Sequence, residues 1–225
     1  MFKKVGRGFI AYSEASNELL GDSRIYFREL CEENDFILLQ TLFENADGVK
    51  LPTSYLKNGR AFLCFDSKHT PQGGFALIER GPFRSISQIP DAGVVPLDGL
   101  LCELTAVCFS RGSSLRRSRF WSFVVGTALS CPAENIIYAV DTRKKALREQ
   151  VFNHIKSSTL YEGPVKILEG MSEVTTEAVE ISNKLQLTRG FLKLAARESR
   201  KFKLTSLFNQ KIDLSEHTFG NLKLR

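Results

Sequence analysis

A carboxylate inside an apolar strand is costly to bury, so Glu103 is the first residue whose presence asks for a chemical reason. It stands in LLCELTAVCF, residues 100–109, a strongly apolar run without Gly or Pro that predicts a buried strand. The next residues are Ser110-Arg111-Gly112-Ser113-Ser114-Leu115-Arg116-Arg117-Ser118. A turn built on Gly112 and the small Ser113 and Ser114, opening directly onto a helix, points unpaired backbone N–H groups at an anion, and the helix dipole adds favourable potential. Arg111, Arg116, Arg117 and Arg119 surround that place with positive charge, and a phosphate or pyrophosphate suits it. The alternative is a basic helix start whose arginines are simply solvated. For Glu103 the alternatives are a general base raised in pKa by burial, and a structural carboxylate paired with an arginine.

Other reactive side chains carry less information. His69, His154 and His217 have no partner at metal-ligand spacing, so no metal site is expected. Cys31, Cys64, Cys102, Cys108 and Cys131 are odd in number and form no CxxC pair, which fits a reducing compartment, the cytoplasm. An apolar strand raises a thiol pKa, which argues against Cys108 as a nucleophile.

The elements around this segment follow from its flanks. Ser113 or Ser114 caps a predicted helix to about Ser130, with Phe120, Val124 and Ala128 on one face. Residues 135–140 predict a second buried strand. Asp141 or Thr142 then caps a helix carrying Leu147, Val151 and Ile155. Upstream, residues 61–80 read as a hairpin around Pro71, Gly73 and Gly74. Residues 8–12 read as a short strand, and residues 13–44 as two amphipathic helices broken at Glu33-Asn34-Asp35. Residues 165–168 predict a further strand, with 174–181 expected to return antiparallel to it. The expected fold class is α/β, a mixed and partly parallel sheet flanked by helices.

This element order, with QGGFALIE in the hairpin, LCELTAVCFSRGSSLRRSRFWSFVVGTAL in the middle and IIYAVDTRKKALREQVF after it, resembles the GNAT superfamily of acyltransferases over roughly residues 8–182. The resemblance implies an acyl donor held as a coenzyme A thioester or as the phosphopantetheine of an acyl carrier protein, and an amine acceptor. The family's pyrophosphate turn has the form Q/R-x-x-G-x-G/A; here it has one glycine. By resemblance Arg111, Gly112, Ser113, Ser114, Arg116 and Arg117 would hold the donor's phosphates. The backbone near Ala106, Val107 and Cys108 would bond the pantetheine arm, and Glu103 would be the base. The family's usual acid, a tyrosine, has no counterpart, since Gln150 stands at its place when Ala146 is matched to the motif's alanine. GLLCELTAVCF is also similar to the corresponding strand of acyl-homoserine-lactone and long-chain N-acyl amino acid synthases, although their arginine is Ala106 here.

Charge divides the chain in two. Residues 184–225 hold ten Lys/Arg and three Asp/Glu, a net +7, whereas residues 1–183 hold 21 and 22, a net −1. The expected organisation is therefore a GNAT-like domain, residues 1–183, with a basic extension, residues 184–225, that packs on it or docks an acidic partner such as a carrier protein. Nucleic acid is a less favoured partner. No apolar run is long enough to span a bilayer. The expected function is N-acyl transfer to an amine; the alternative is a non-catalytic module of the same fold that binds through its basic tail.

Overall fold

A computed structural model describes residues 10–11, 24–87, 89, 100–110, 113–143, 154–166, 174–193 and 196 of the 225. Its elements are β1 (Ile10–Ala11), β2 (Ile25–Glu29), α1 (Glu33–Asp47), α2 (Thr53–Leu56), β3 (Gly59–Asp66), β4 (Pro71–Ile78), α3 (Arg84–Ser87), β5 (Leu101–Phe109), α4 (Ser114–Ser130), β6 (Asn135–Asp141), β7 (Ser158–Lys166) and β8 (Val174–Asn183). A further helix, α5, spans residues 184–193. The strands form one eight-stranded sheet in the order β1-β2-β3-β4-β5-β6-β8-β7. Among the described strands only β5 and β6 pair in parallel, joined through α4; the other pairings are antiparallel. The mixed, partly parallel sheet expected from the element order is thus present.

Helices cover both faces of the sheet. On one face α4 and α5 lie over a core of Phe27, Phe62, Phe75, Phe120 and Phe123, with Cys102, Leu104, Ile136 and Leu187. Its rings interlock: Phe27 stacks on Phe123 at 3.9 Å between centroids, and Phe75 meets Phe120 edge-on at 6.2 Å. On the other face α1 buries Phe36, Leu39 and Phe43 against Leu63, Ala76, Ile78, Ala106 and Cys108. A third cluster joins Ile86 and Ile89 near α3 to Leu101, Ile137 and Val179. Burial of this much apolar surface is the main stabilising force.

Several sequence expectations are overturned: the break expected at Glu33-Asn34-Asp35 is the first turn of α1, and Pro71, Gly73 and Gly74 lie within β4, the hairpin turning instead between Asp66 and Thr70. Helix was expected through Tyr26, Phe27 and Leu30, but Ile25–Glu29 is a strand, paired antiparallel with β3 from Ile25↔Asp66 to Glu29↔Phe62. Ile25 and Phe27 alternate into the core, a period of two that competed with helical spacing over a segment too short to decide; pairing with β3 settles it. The helix expected after Asp141 falls mostly outside the described residues, and Ile155, its last apolar position, lies in a turn. β7 begins at Ser158, earlier than the 165–168 expected, and pairs with β8 as foreseen.

Candidate active site

The parallel ladder between β5 and β6 is short. It runs Leu101↔Asn135, Cys102↔Ile136 and Glu103↔Ile137 and stops there, although β5 continues to Phe109 and β6 to Asp141. Beyond Glu103 the two strands separate into a fork. β5 keeps its antiparallel partner on the other side, with Thr105 opposite Ala76 and Cys108 opposite Gly74. Between those pairs Phe75 faces both Ala106 and Val107, a β-bulge, and Ala106 takes φ 52°. A bulge bends and twists its strand, which is the local cause of the divergence. Positive φ is uncommon outside glycine, and here packing holds Ala106 in it.

The extra residue also switches the strand's faces. Before the bulge Cys102 and Leu104 point into the α4 core; after it Val107 and Phe109 do so, while Ala106 and Cys108 join the α1 side. Gly73 makes the close approach possible. A Cβ there would lie 2.1 Å from the Cys108 carbonyl oxygen, and its φ of 149° is one that side chains rarely adopt. Gly73 thus lets β5 approach closely just past the bulge, where it pairs with Phe109.

A narrow apolar cavity starts at the vertex of the fork, on the α4 side. Its walls include Leu104 and Tyr138, the first residues past the last β5–β6 pair, with Trp121 and Val125 of α4 and Leu187 and Phe191 of α5. Its enclosed volume is about 20 Å³, room for about one water-sized group. Gly190 also lines it, and any Cβ on Gly190 would sit 2.5 Å from the Ile155 Cα, so glycine lets α5 press against the 154–156 turn. The lining is hydrocarbon apart from the end of Tyr138, whose hydroxyl donates to Glu180 Oε2 at 3.4 Å and meets Ser182 Oγ at 3.1 Å. Burial pushes the Tyr138 phenol up to about 12.

Glu103 sits at the same vertex but on the opposite face, 1% exposed. Tyr55 of α2 donates its hydroxyl to Glu103 Oε2 at 2.7 Å. Ser85 of α3 donates its hydroxyl to Oε1 at 2.7 Å and its backbone N–H to Oε2 at 3.3 Å. The Tyr55 oxygen in turn accepts the Arg84 backbone N–H at 3.1 Å. Arg84 bridges to Glu177 of β8 at 3.2 Å, and Thr175 donates to Glu177 at 3.1 Å. Loss of hydration raises the Glu103 pKa; the bonds from Tyr55 and Ser85 and the Arg84 charge pull the other way. The arginine that a buried carboxylate called for is Arg84, acting through its charge.

Of the phosphate-site residues, Arg111 and Gly112 lie outside the described residues, and so does the side chain of Ser114. Ser113 is the N-cap of α4, its hydroxyl accepting the Arg116 N–H at 3.3 Å. Arg117 is exposed. Ser110 fastens the end of β5 to Gln72 through two bonds, N–H to carbonyl at 2.7 Å and hydroxyl to Oε1 at 2.6 Å. Burial pushes the Cys108 thiol up to about 11, which leaves little thiolate near neutrality. Sequence reasoning passed over Tyr55, Arg84, Ser85, Glu177, Glu180 and the part α5 plays in the cavity. Only the solitary Glu103 signalled that donors must converge on it.

No protein-family model and no curated protein sequence matches this chain, so likeness rests on solved structures. The N-acyl amino acid synthase FeeM from uncultured soil microbes superposes with a TM-score of 0.52 at 12% identity, over 76% of this chain and 97% of that one. An uncharacterized protein from Bacillus halodurans gives 0.50 at 10% identity over 78% and 92%. An N-acetyltransferase from Staphylococcus aureus gives 0.49 at 11% identity over 72% and 98%. The chain has the GNAT fold. Within that fold the β5–β6 fork is the cleft between the two parallel strands, and α4 is the helix that leaves the first of them.

Proposed function

We propose that this GNAT-fold protein is an N-acyltransferase whose donor is an acyl thioester with an apolar chain. The observation that carries the reading is the fork with an apolar cavity at its vertex, between Glu103↔Ile137 and the side chains of Leu104 and Tyr138. Past the last pair, the β5 and β6 edges that face each other have no ladder partner across the gap, which suits a pantetheine arm carrying amide groups. The N-terminus of α4, with Arg116 and Arg117 in its first turn and Arg111 and Gly112 just before it, suits the donor's phosphates. These features fit coenzyme A and the phosphopantetheine of a carrier protein equally. The thioester supplies the electrophilic acyl carbon; the chain's part is to hold it and to accept a proton from the incoming amine.

In this reading Glu103 is the proton acceptor, reached through the Tyr55 hydroxyl. Tyr55 is only partly buried and already bonded to the carboxylate, so it links the sealed Glu103 to the exterior. Its own pKa is raised, first by burial and then by the neighbouring Glu103 charge, so it relays as a neutral hydroxyl.

Thermal unfolding with acetyl- and long-chain acyl-coenzyme A tests the proposal. Long-chain donors should stabilise the protein more than acetyl-coenzyme A, Arg116→Ala should weaken both effects, and Ala128→Leu, which narrows the cavity, should weaken only the long-chain one. No shift with a broad panel of thioesters, carrier-protein thioesters included, would overturn it.

One observation favours the alternative, a binding module without catalysis: both Glu103 oxygens are engaged by Tyr55 and Ser85. Salt-dependent nucleic-acid binding that disappears on removing residues 197–225, together with indifference to thioesters, would establish that reading instead.

A further inference from the structure

α5 has two apolar faces, and among the described residues only one packs inside the molecule. Its inner face sets Leu187, Gly190 and Phe191 into the cavity wall. Its outer face shows Leu185 and Leu192, 57% and 60% exposed. They are seven residues apart, two helical turns, and so stand on one line, with the exposed Arg189 between them and the exposed Lys193 following. Among the described residues only two other large hydrophobic side chains are exposed, Ile37 and Leu100. Leu100, 62% exposed, belongs to the same end of the molecule as the start of α5. Its carbonyl accepts from the Glu134 and Asn135 N–H groups, and Asn135 pairs with Asn183, which immediately precedes α5.

Charge says what this face prefers. The charged residues of the described helix are Lys184, Arg189 and Lys193, all basic, and the sequence has no acid from Lys184 to Arg197. Basic and large apolar residues interleaved, with few acids, match a surface that is anionic and has hydrocarbon just beneath it. A nucleic acid would meet the arginines and lysines but leave the leucines without an apolar counterpart. The leucines are also spread over two turns and a neighbouring loop, which suits an extended surface rather than one pocket on an acidic protein. No described helix is long and apolar enough to cross a membrane, so the contact would lie in the interface.

We propose that the outer face of α5, with Leu100, docks the protein on an anionic lipid surface, Leu100, Leu185 and Leu192 entering the headgroup boundary and Arg189 and Lys193 meeting lipid phosphates. The inference builds on the acyl-cavity reading in one respect: the helix that would touch the lipid also walls the cavity, so an apolar chain would enter close to where such chains reside.

The test is co-sedimentation of the full chain, without any acyl donor, with vesicles of phosphatidylcholine alone or mixed with phosphatidylglycerol. Binding is expected only to the mixed vesicles and should fall as salt rises. Leu185→Asp with Leu192→Asp should reduce it about tenfold or more, and Arg189→Glu with Lys193→Glu several-fold. Ile37→Asp, on α1, should leave it unchanged. Circular dichroism and thermal unfolding verify that each variant folds, and Arg189→Glu alone replaces any double variant that does not. Absence of binding at low salt, equal binding to both vesicle types, or binding indifferent to the α5 variants would overturn the proposal, as would capture by an acidic soluble carrier protein with no vesicle binding. Because no donor is present, failure here leaves the thioester experiment to stand or fall separately.

Discussion

The two faces of β5 solve opposite problems within one strand. Toward α4, Cys102, Leu104, Val107 and Phe109 meet an apolar core, which leaves an apolar cavity beside Leu104. Toward α2 and α3, Glu103 is sealed in a network of Tyr55, Ser85, Arg84 and Glu177. An apolar face tolerates imperfect filling, since a void forfeits only weak dispersion attraction along its walls; a buried carboxylate tolerates no missing donor. The difference teaches where to look for adaptable and fixed parts of the site. The cavity face can be reshaped to fit a chain, whereas the Glu103 face is committed to one geometry. Both meet at the vertex of the fork, so chain binding and proton transfer would be handled by separate sides of the same strand.

The strongest test of the apolar face is Phe120→Ala. Phe120 is fully buried and stacks on Phe109 at 4.6 Å while meeting Phe75 and Trp121 edge-on. Its removal should cost about 3–5 kcal/mol in urea unfolding. A much smaller loss would mean that the face collapses to refill the space, and that the cavity is softer than the packing indicates. Next comes the pivot shared by both faces. Gly73→Ala sets a Cβ against the Cys108 carbonyl just past the bulge and should cost about 2–3 kcal/mol. It should also weaken donor stabilisation, because the fork depends on the bulge.

The polar face is probed by Glu103→Gln, with an expected cost of about 1–3 kcal/mol. Its dependence on pH is the sharper reading. The Glu103 pKa is raised in the fold, so between its ordinary value and the raised one the native state holds more protons than the unfolded chain. Wild-type stability from this group is therefore complete at low pH and lost as pH rises through that window. Glutamine does not titrate, so the gap between wild type and variant should be widest at acid pH and narrow as pH increases. A gap that widens instead would mean that Tyr55, Ser85 and Arg84 hold Glu103 as an anion. Catalysis adds a separate readout: a proton acceptor should lose kcat and its pH profile in Glu103→Gln while the fold persists, whereas an anchor for α2 and α3 should lose stability and activity together.

The fold was legible wherever local pattern and tertiary demand agreed. The run 100–109, the cap at Ser113 and the hairpin over residues 61–80 each carried a signal of its own kind, although Pro71, Gly73 and Gly74 lie in β4 rather than in the turn. β2 was misread because the six residues from Ile25 to Leu30, with apolar side chains at Ile25, Phe27 and Leu30, satisfy two periods, and only β3 distinguishes them. At the site, Glu103 announced itself by its cost of burial. Tyr55, Ser85 and Arg84 did not, since each is an ordinary residue in a polar or turn-rich stretch, brought to Glu103 by the packing of α2 and α3 against the sheet. The fork itself left no local mark. A ladder that stops after three pairs is a relation between two strands, written partly in a bulge whose extra residue, Ala106, looks like any alanine. Gly190, which reads as a weakness in a helix, is explained by the 154–156 turn lying against it.

The smallest expected effect probes where the comparison is least clean. Tyr138 belongs to the apolar face, yet its hydroxyl reaches Glu180 and Ser182, and Ser157 donates to the same Glu180 oxygen. Tyr138→Phe keeps the ring in the cavity wall and removes one hydroxyl, so a cost of about 1 kcal/mol is expected, that of one hydrogen-bonding group among partners that can still bond each other. Ultraviolet titration supplies the complementary measurement: with burial pushing the Tyr138 phenol up to about 12, the variant should lack one late-ionising tyrosine. If Tyr138→Phe leaves stability unchanged but abolishes discrimination between long and short acyl donors, the hydroxyl marks the end of the chain's path. A loss of several kcal/mol would mean instead that Glu180 depends on Tyr138 as Glu103 depends on Tyr55, and that the α4 face too is built around a fixed carboxylate.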